Sequence, residues 1–187
     1  MKKIFVLVVM LMLFSSMYIP FVSSIDDVGD FDEVYSVYDV YCDGTYVYSA
    51  CGASGLRAYS FDGSTLTFID DIDDGGTYIS VDGDGTYIFC GISGDTYNIR
   101  SYSFDGSTLS NEVATNYGDD AWGNTYVNGS LIHTAFIEGA YFEIASFSTS
   151  TLTLGDYNRD GGTTQDVTGD GYYVYSVGTF GIRAYTV

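Results

Sequence analysis

The stretch from Asp43 to Leu66, DGTYVYSACGASGLRAYSFDGSTL, comes back three more times along the chain. Asp84 to Leu109 repeats it with a two-residue insertion. A looser copy runs from Asn128 to Leu152, and a shortened one from Asp170 to Val187. Phe61, Phe104 and Phe147 hold equivalent places at a spacing of 43 residues. A fixed period of this length means that each copy is one small unit unable to bury its apolar face alone, so that neighbouring copies must stack on one another.

Within each copy, short runs rich in Tyr, Val, Ile, Thr and Phe alternate with Asp-Gly, Gly-Gly and Gly-Ser signals, which is a strand-and-turn pattern. Four strands fit each copy. In the second they fall at about 77–81, 86–91, 97–104 and 108–115. Asp43-Gly44, Asp84-Gly85, Asn128-Gly129 and Asp170-Gly171 join the first strand to the second, and such pairs tolerate the positive φ of tight hairpin turns. With Asp43-Gly44 as the two-residue turn, Cys42 is expected to face Thr45. Four antiparallel strands repeated with short turns make a propeller blade. The last copy reads only through its third strand. Ser24-Ile25-Asp26-Asp27-Val28 has the pattern of the fourth strand Phe68-Ile69-Asp70-Asp71-Ile72. The expected fold is therefore all-β, a four-bladed β-propeller of four-stranded antiparallel blades. Residues 25–30 are expected to complete the last blade and close the ring, which removes open sheet edges. The blades are placed at about 34–74, 75–117, 118–160 and 161–187 plus 25–30.

Residues 1–24 are set apart from this domain of residues 25–187. Lys2 and Lys3 precede an unbroken apolar run from Ile4 to Phe14, and Val22-Ser23-Ser24 offers a cleavage site, so the segment reads as a secretory signal. The run is shorter than the ~20 residues that span a bilayer. Beyond it the basic residues are Arg57, Arg100, Arg159 and Arg183, against 25 acidic residues in the chain. A field this negative repels phosphate, which argues against nucleic acid and anionic membranes as partners. Cys42, Cys51 and Cys90 are odd in number and read as small buried thiols rather than a disulfide framework.

The phrases Val81 with Asp84-Gly85-Thr86-Tyr87-Ile88-Phe89, and Ser54-Gly55-Leu56-Arg57-Ala58-Tyr59, resemble the LVIVD-type repeats of secreted bacterial and archaeal β-propellers, and more loosely the YVTN and WD40-like ones. The resemblance covers most of residues 34–187 and implies the propeller fold and export. The acidic residue usual in that family after the third strand's apolar pair is replaced by Tyr-Ser-Phe. A Trp-Asp dipeptide is absent, and four copies are fewer than such chains usually carry.

Strand direction sorts the connections onto two faces. The tight turns share one face and read as structural. The longer second-to-third and fourth-to-first connections share the other, where Asp71, Asp73, Asp74, Asp119, Asp120 and Asp160 collect, and irregular loops on a rigid scaffold are where binding usually sits. These acids and Trp122 are the candidate ligand- or cation-binding residues. Ca²⁺ is the cation that such oxygen ligands suit, although Asp71 to Gly75 lacks the spacing and the closing Glu of a calcium loop. Arg57, Arg100 and Arg183 occupy one repeated position and read as structural ion pairs. His133, the one histidine, stands where other copies have Tyr48 and Phe89 and reads as a packed aromatic substitute. No partner is at hand for a zinc site or a histidine-based triad. Asn128-Gly129-Ser130 is a glycosylation sequon that the hairpin turn already explains.

The expected function is that of a secreted, non-enzymatic propeller binding an extracellular protein or glycan through its loop-bearing face, with no cofactor. The alternatives are a metal-dependent lactonase or hydrolase, and half of a homodimeric eight-bladed ring.

Overall fold

The computed structural model describes residues 35–115, 121–136, 141–148, 151–159 and 163–186. All regular structure in these residues is β, in four antiparallel sheets whose strands follow chain order. Blade 1 comprises β1 (Asp39–Cys42), β2 (Tyr46–Ala50), β3 (Leu56–Phe61) and β4 (Leu66–Ile72). Blade 2 comprises β5 (Thr77–Gly83), β6 (Tyr87–Ser93), β7 (Ile99–Phe104) and β8 (Leu109–Thr115). Blade 3 holds β9 (Ala121–Asn128), β10 (Leu131–Phe136), β11 (Tyr141–Ser148) and β12 (Thr151–Arg159). Blade 4 has three described strands, β13 (Thr164–Gly169), β14 (Tyr173–Gly178) and β15 (Gly181–Thr186).

The first strand of each blade packs on the first strand of the next, β1 on β5, β5 on β9 and β9 on β13. All four line one cavity of about 400 Å³, with Asp39 of β1, Asp82 of β5, Asn124 of β9 and Asp166 of β13 on its wall. The sheets therefore stand around a common axis as a four-bladed β-propeller. The fourth strand expected from residues 25–30 lies outside the described residues.

The core sits between blades and follows the two-residue period of the strands. Ile88, Cys90 and Ile92 of β6 point to blade 1 and meet Tyr48, Ala50, Leu56 and Ala58. Phe89, one residue out of phase, points to blade 3 and meets Ile132, Ala145 and Phe147. Ala135, Val167 and Val174 fill the third seam. Each fully buried large side chain here contributes about 1.5–3 kcal/mol. On the faces turned toward the fourth seam, Tyr38, Val40 and Ile182 stay exposed, at 58%, 61% and 78%.

The repeat extends to its irregularities. The ladder between third and fourth strands slips at Ala58/Tyr59, at Ser101/Tyr102 and at Glu143/Ala145, the same place in three blades. Such bulges raise the local twist.

Two expectations need correction. Cys42 faces Val47, not Thr45. The Asp43 carboxylate accepts the N–H groups of Thr45 and Tyr46, both at 2.7 Å, which holds Asp43 at the end of its strand opposite Tyr46. Gly44, at φ +93°, then takes the first of two loop positions, a conformation only glycine adopts without strain. Asp84 and Asp170 hold their turns in the same way. The thiols also differ from expectation: Cys51 and Cys90 are buried, but Cys42 is exposed because its face looks toward the fourth seam.

Candidate functional site

On the loop-bearing face, Asp73 and Asp74 are engaged with the protein itself. Asp73 Oδ1 accepts the Gly75 N–H at 2.9 Å, closing its own turn. Asp74 Oδ2 accepts the Asn111 amide at 2.7 Å and lies 3.7 Å from the buried Arg100 guanidinium, which also pairs with Asp95. The Asp74 N–H donates to the Tyr78 hydroxyl, and that hydroxyl bonds Tyr102 at 2.6 Å. Burial is the main reason both phenols titrate well above the usual tyrosine range. Charge and hydroxyls thus fasten the connection between β4 and β5 onto blade 2. Asp71 is exposed, opposite Arg57 in the ladder.

The three repeated arginines differ in surroundings. Arg100 has the carboxylates just described. The Arg57 guanidinium lies 4.7 Å from the Tyr35 ring and 5.4 Å from Phe68, and that of Arg183 lies 4.6 Å from Phe180. Asp119, Asp120 and Asp160 fall outside the described residues, as does the side chain of Trp122 in β9. His133 is fully buried and stacked on Tyr126, and burial pushes its imidazole down to about 4.

The axial cavity brings Asp39 within electrostatic reach of both Asp82 and Asp166. Asp39 Oδ2 accepts the Val81 N–H at 2.9 Å, and Asp82 Oδ2 accepts the Val127 N–H at 2.7 Å. Burial raises both carboxyls, backbone hydrogen bonds offset part of the rise, and a neighbouring carboxylate adds to it, Asp166 for Asp39 and Asp39 for Asp82. These two acids tie one blade's inner strand to the next. No three ligating side chains among the described residues are grouped so as to hold a metal ion.

A second cavity opens on the tight-turn face between blades 1 and 2, with a volume of about 210 Å³. Its wall carries Tyr41, Asp43, Tyr46 and Tyr48 from blade 1 and Phe104 from blade 2; Tyr87 also borders it, but its ring packs on Phe147 in the next seam, with centroids 4.7 Å apart. Tyr41 stacks on Tyr48 with ring centroids 5.9 Å apart, and Phe104 meets Tyr46 and Tyr48 edge-on at 5.0 and 5.8 Å. The Tyr48 hydroxyl donates to Asp43 Oδ2 at 2.9 Å. The Tyr41 phenol is raised by burial first, then by the carboxylates of Asp82, Asp43 and Asp84, against a hydrogen bond to the Gly85 backbone. Ring faces, phenol hydroxyls and one lining carboxylate are the parts of a binding crevice. Glycoside hydrolysis uses a carboxylate pair, and Asp43 stands alone on this wall.

Sequence reasoning placed this face among the structural ones and missed the crevice. A signal existed: Tyr48 stands five residues after Asp43, and Tyr175 five after Asp170, where its hydroxyl donates to Asp170 at 3.0 Å. The axial Asp39 and Asp166 also had one, each four residues ahead of an Asp-Gly turn.

No family model matches the sequence, and no curated protein does. Solved structures are similar in fold. The computationally designed Ika4 protein superposes with a TM-score of 0.68 at 9% identity, over 88% of this chain and 99% of that one. A structure in the mitotic checkpoint complex gives 0.69 at 12% identity, over 83% of this chain and 50% of that one. A protein of Bacteroides uniformis assigned as a 6-phosphogluconolactonase gives 0.69 at 12% identity, over 80% of this chain and 50% of that one. The chain thus spans about half the length of the last two. Likeness at such identities shows the fold, an all-β propeller, and leaves function to the site.

Proposed function

We propose that the chain is an exported, non-enzymatic propeller that binds a glycan in the crevice between blades 1 and 2. The observation that carries this reading is the wall of Tyr41, Tyr46, Tyr48 and Phe104 around the Asp43 carboxylate. Aromatic side chains supply large, stiff stacking surfaces with a polar tip, which suits a ligand that is apolar on one face and hydroxylated at its rim. The contact is placed on the tight-turn face, because the aromatic-lined crevice opens there. Export rests on the leader-like residues 1–24, and kinship with the LVIVD-type repeats rests on the phrases quoted above.

Retention on immobilised chitin, chitosan, cellulose and xylan tests the reading. The purified protein is expected to be retained on at least one, and Tyr46→Ala is expected to abolish retention while thermal unfolding stays cooperative. Retention unchanged in that variant, or on none of the four, overturns it. The lactonase-type reading has one fold likeness behind it. A stoichiometric divalent ion in purified protein, with activity lost to a chelator, would favour it.

A further inference from the structure

We propose that the crevice between blades 1 and 2 has a twin at the fourth seam, where blade 4 meets blade 1, so that one chain holds its glycan at two points. The inference rests on the binding role just proposed and adds a site.

The parts of the twin stand on the two faces that flank the fourth seam. Asp170 of blade 4 caps its turn through the N–H groups of Tyr172 and Tyr173, as Asp43 does through those of Thr45 and Tyr46. The Tyr175 hydroxyl donates to Asp170 Oδ2 at 3.0 Å, and the Tyr48 hydroxyl to Asp43 Oδ2 at 2.9 Å. Tyr173 opens β14 as Tyr46 opens β2, and Phe61 ends β3 as Phe104 ends β7. Of the first wall's rings, Tyr41 alone lacks a counterpart, its place being taken by Thr168.

The packed seams show how such parts meet. Phe104 stands edge-on to Tyr46 and Tyr48, with centroids at 5.0 and 5.8 Å. Phe147 stands edge-on to Tyr87 and Phe89, at 4.7 and 5.1 Å. In both, the last ring of one blade's third strand meets the first and third residues of the preceding blade's second strand, which share a face. By that rule Phe61 belongs against Tyr173 and Tyr175. Phe61 is 40% exposed and Tyr173 47%, whereas Phe147, already seated, is 6% exposed. All four inner strands line one axial cavity, so blades 4 and 1 are neighbours around the axis and closure of the ring brings these rings together.

The repeat by itself does not account for the match. In blade 2, Phe89 stands in the place of Tyr48 and has no hydroxyl to give Asp84. In blade 3 the three places hold Asn128, Leu131 and His133. Packing asks only for apolar bulk at these positions, and Asp, Tyr and Tyr occur together in blades 1 and 4 alone. Both crevices open on the tight-turn face, so one polymer chain reaches both. Linked contacts exceed either one alone by ~10²–10⁴ in affinity, and loss of either crevice is therefore expected to release a polymer.

Calorimetry with the soluble tetrasaccharides of chitin, chitosan, cellulose and xylan tests the twin. Tyr173→Leu removes the ring but keeps apolar bulk against Phe61, leucine being what blade 3 carries there as Leu131. The parent is expected to bind two tetrasaccharides per chain, Tyr173→Leu one, Tyr46→Ala one, and the double variant none. On the polymer that retains the parent, Tyr173→Leu is expected to lose ~100-fold or more in affinity. Should Tyr173→Leu not fold, Tyr175→Phe keeps every ring, removes one polar tip and is expected to weaken one of the two sites about tenfold; two unchanged sites in it overturn the proposal. One site per chain, lost in Tyr46→Ala and unchanged in Tyr173→Leu, overturns the twin and leaves the first crevice standing. One site lost in Tyr173→Leu alone overturns the pair, and the first crevice with it. Two sites that neither variant removes, or no tetrasaccharide bound at all, overturn both crevices.

Discussion

At the outer edge of the first seam, the Asp70 carboxylate of β4 accepts the backbone N–H of Leu109 in β8 at 2.7 Å. The bond reaches from one blade to the next, so it resists their separation rather than the fraying of either. A hydrogen bond to a charged acceptor contributes about 1.5–3 kcal/mol. Asp70→Ala is expected to cost about 1–2 kcal/mol, toward the low end because the site is half exposed. Urea unfolding measures it.

The same device supplies a test of ring closure. In the pattern shared by Ser24 to Val28 and Phe68 to Ile72, Asp26 takes the place of Asp70, and Leu66 stands in blade 1 where Leu109 stands in blade 2. If residues 25–30 complete blade 4, Asp26→Ala is expected to destabilise about as much as Asp70→Ala, about 1–2 kcal/mol. A variant as stable as the parent would count against closure by this segment, and a mass in solution of two chains would point to the double ring instead.

Asp73 and Asp74 are neighbours with different roles, and stability separates them. Asp74→Ala removes one carboxylate from the buried Arg100 and the partner of Asn111, and is expected to cost about 1–2 kcal/mol. Asp73→Ala loses an exposed turn contact and is expected to stay within about 0.5 kcal/mol. Chemical denaturation of the two single variants checks the contrast.

His133 gives the fold a pH dependence of known sign. Its folded-state value, about 4, lies below the ordinary 6.5, so the unfolded chain takes up the proton first. Stability attributable to neutral His133 is present above pH 6.5 and is lost as the pH falls from there toward 4. The loss amounts to about 2–3 kcal/mol at one pH unit per ~1.4 kcal/mol. The raised carboxyls of Asp39 and Asp82 run the other way, costing stability as the pH rises. The difference between parent and His133→Phe, the residue that blade 2 carries at this place as Phe89, isolates the imidazole. The parent's melting temperature is expected to fall relative to that of the variant from pH 7 to pH 4.5; a constant difference would remove His133 from the account.

Much of the architecture was legible because the period repeats the physics from copy to copy: an Asp-Gly or Asn-Gly turn and two-residue alternation. The hairpin register was misread because Asp and Gly were taken as a pair, whereas the Asp43 side chain caps two N–H groups and leaves Gly44 to turn alone. The candidate site was hard to see for a related reason. Acids on long loops drew attention, yet Asp74 is spent on Arg100, and which carboxylates a structure consumes is decided by contacts between blades. The crevice is likewise a product of two blades: Tyr46 and Phe104 lie far apart in sequence and meet only when the repeats stack.

Glycine 83 sits so close to Tyr41 that an added Cβ would lie 2.5 Å from the ring and 2.7 Å from the Tyr87 carbonyl. Gly169 meets Tyr126 in the same way, at 2.5 Å. Gly83→Ala and Gly169→Ala are each expected to cost about 1–3 kcal/mol through overpacking, measured by thermal unfolding.

Those two tyrosine-on-glycine joints occur where blade 1 meets blade 2 and where blade 3 meets blade 4. Between blades 2 and 3 the same positions hold Asp82 and Val127, joined by a hydrogen bond instead. Steric fit along the axis thus differs from one of these three seams to the next, and the blades are not interchangeable. A copy of blade 1 or blade 3 set after itself would bring Tyr41 against Cys42 or Tyr126 against Val127, where the present partner is a glycine.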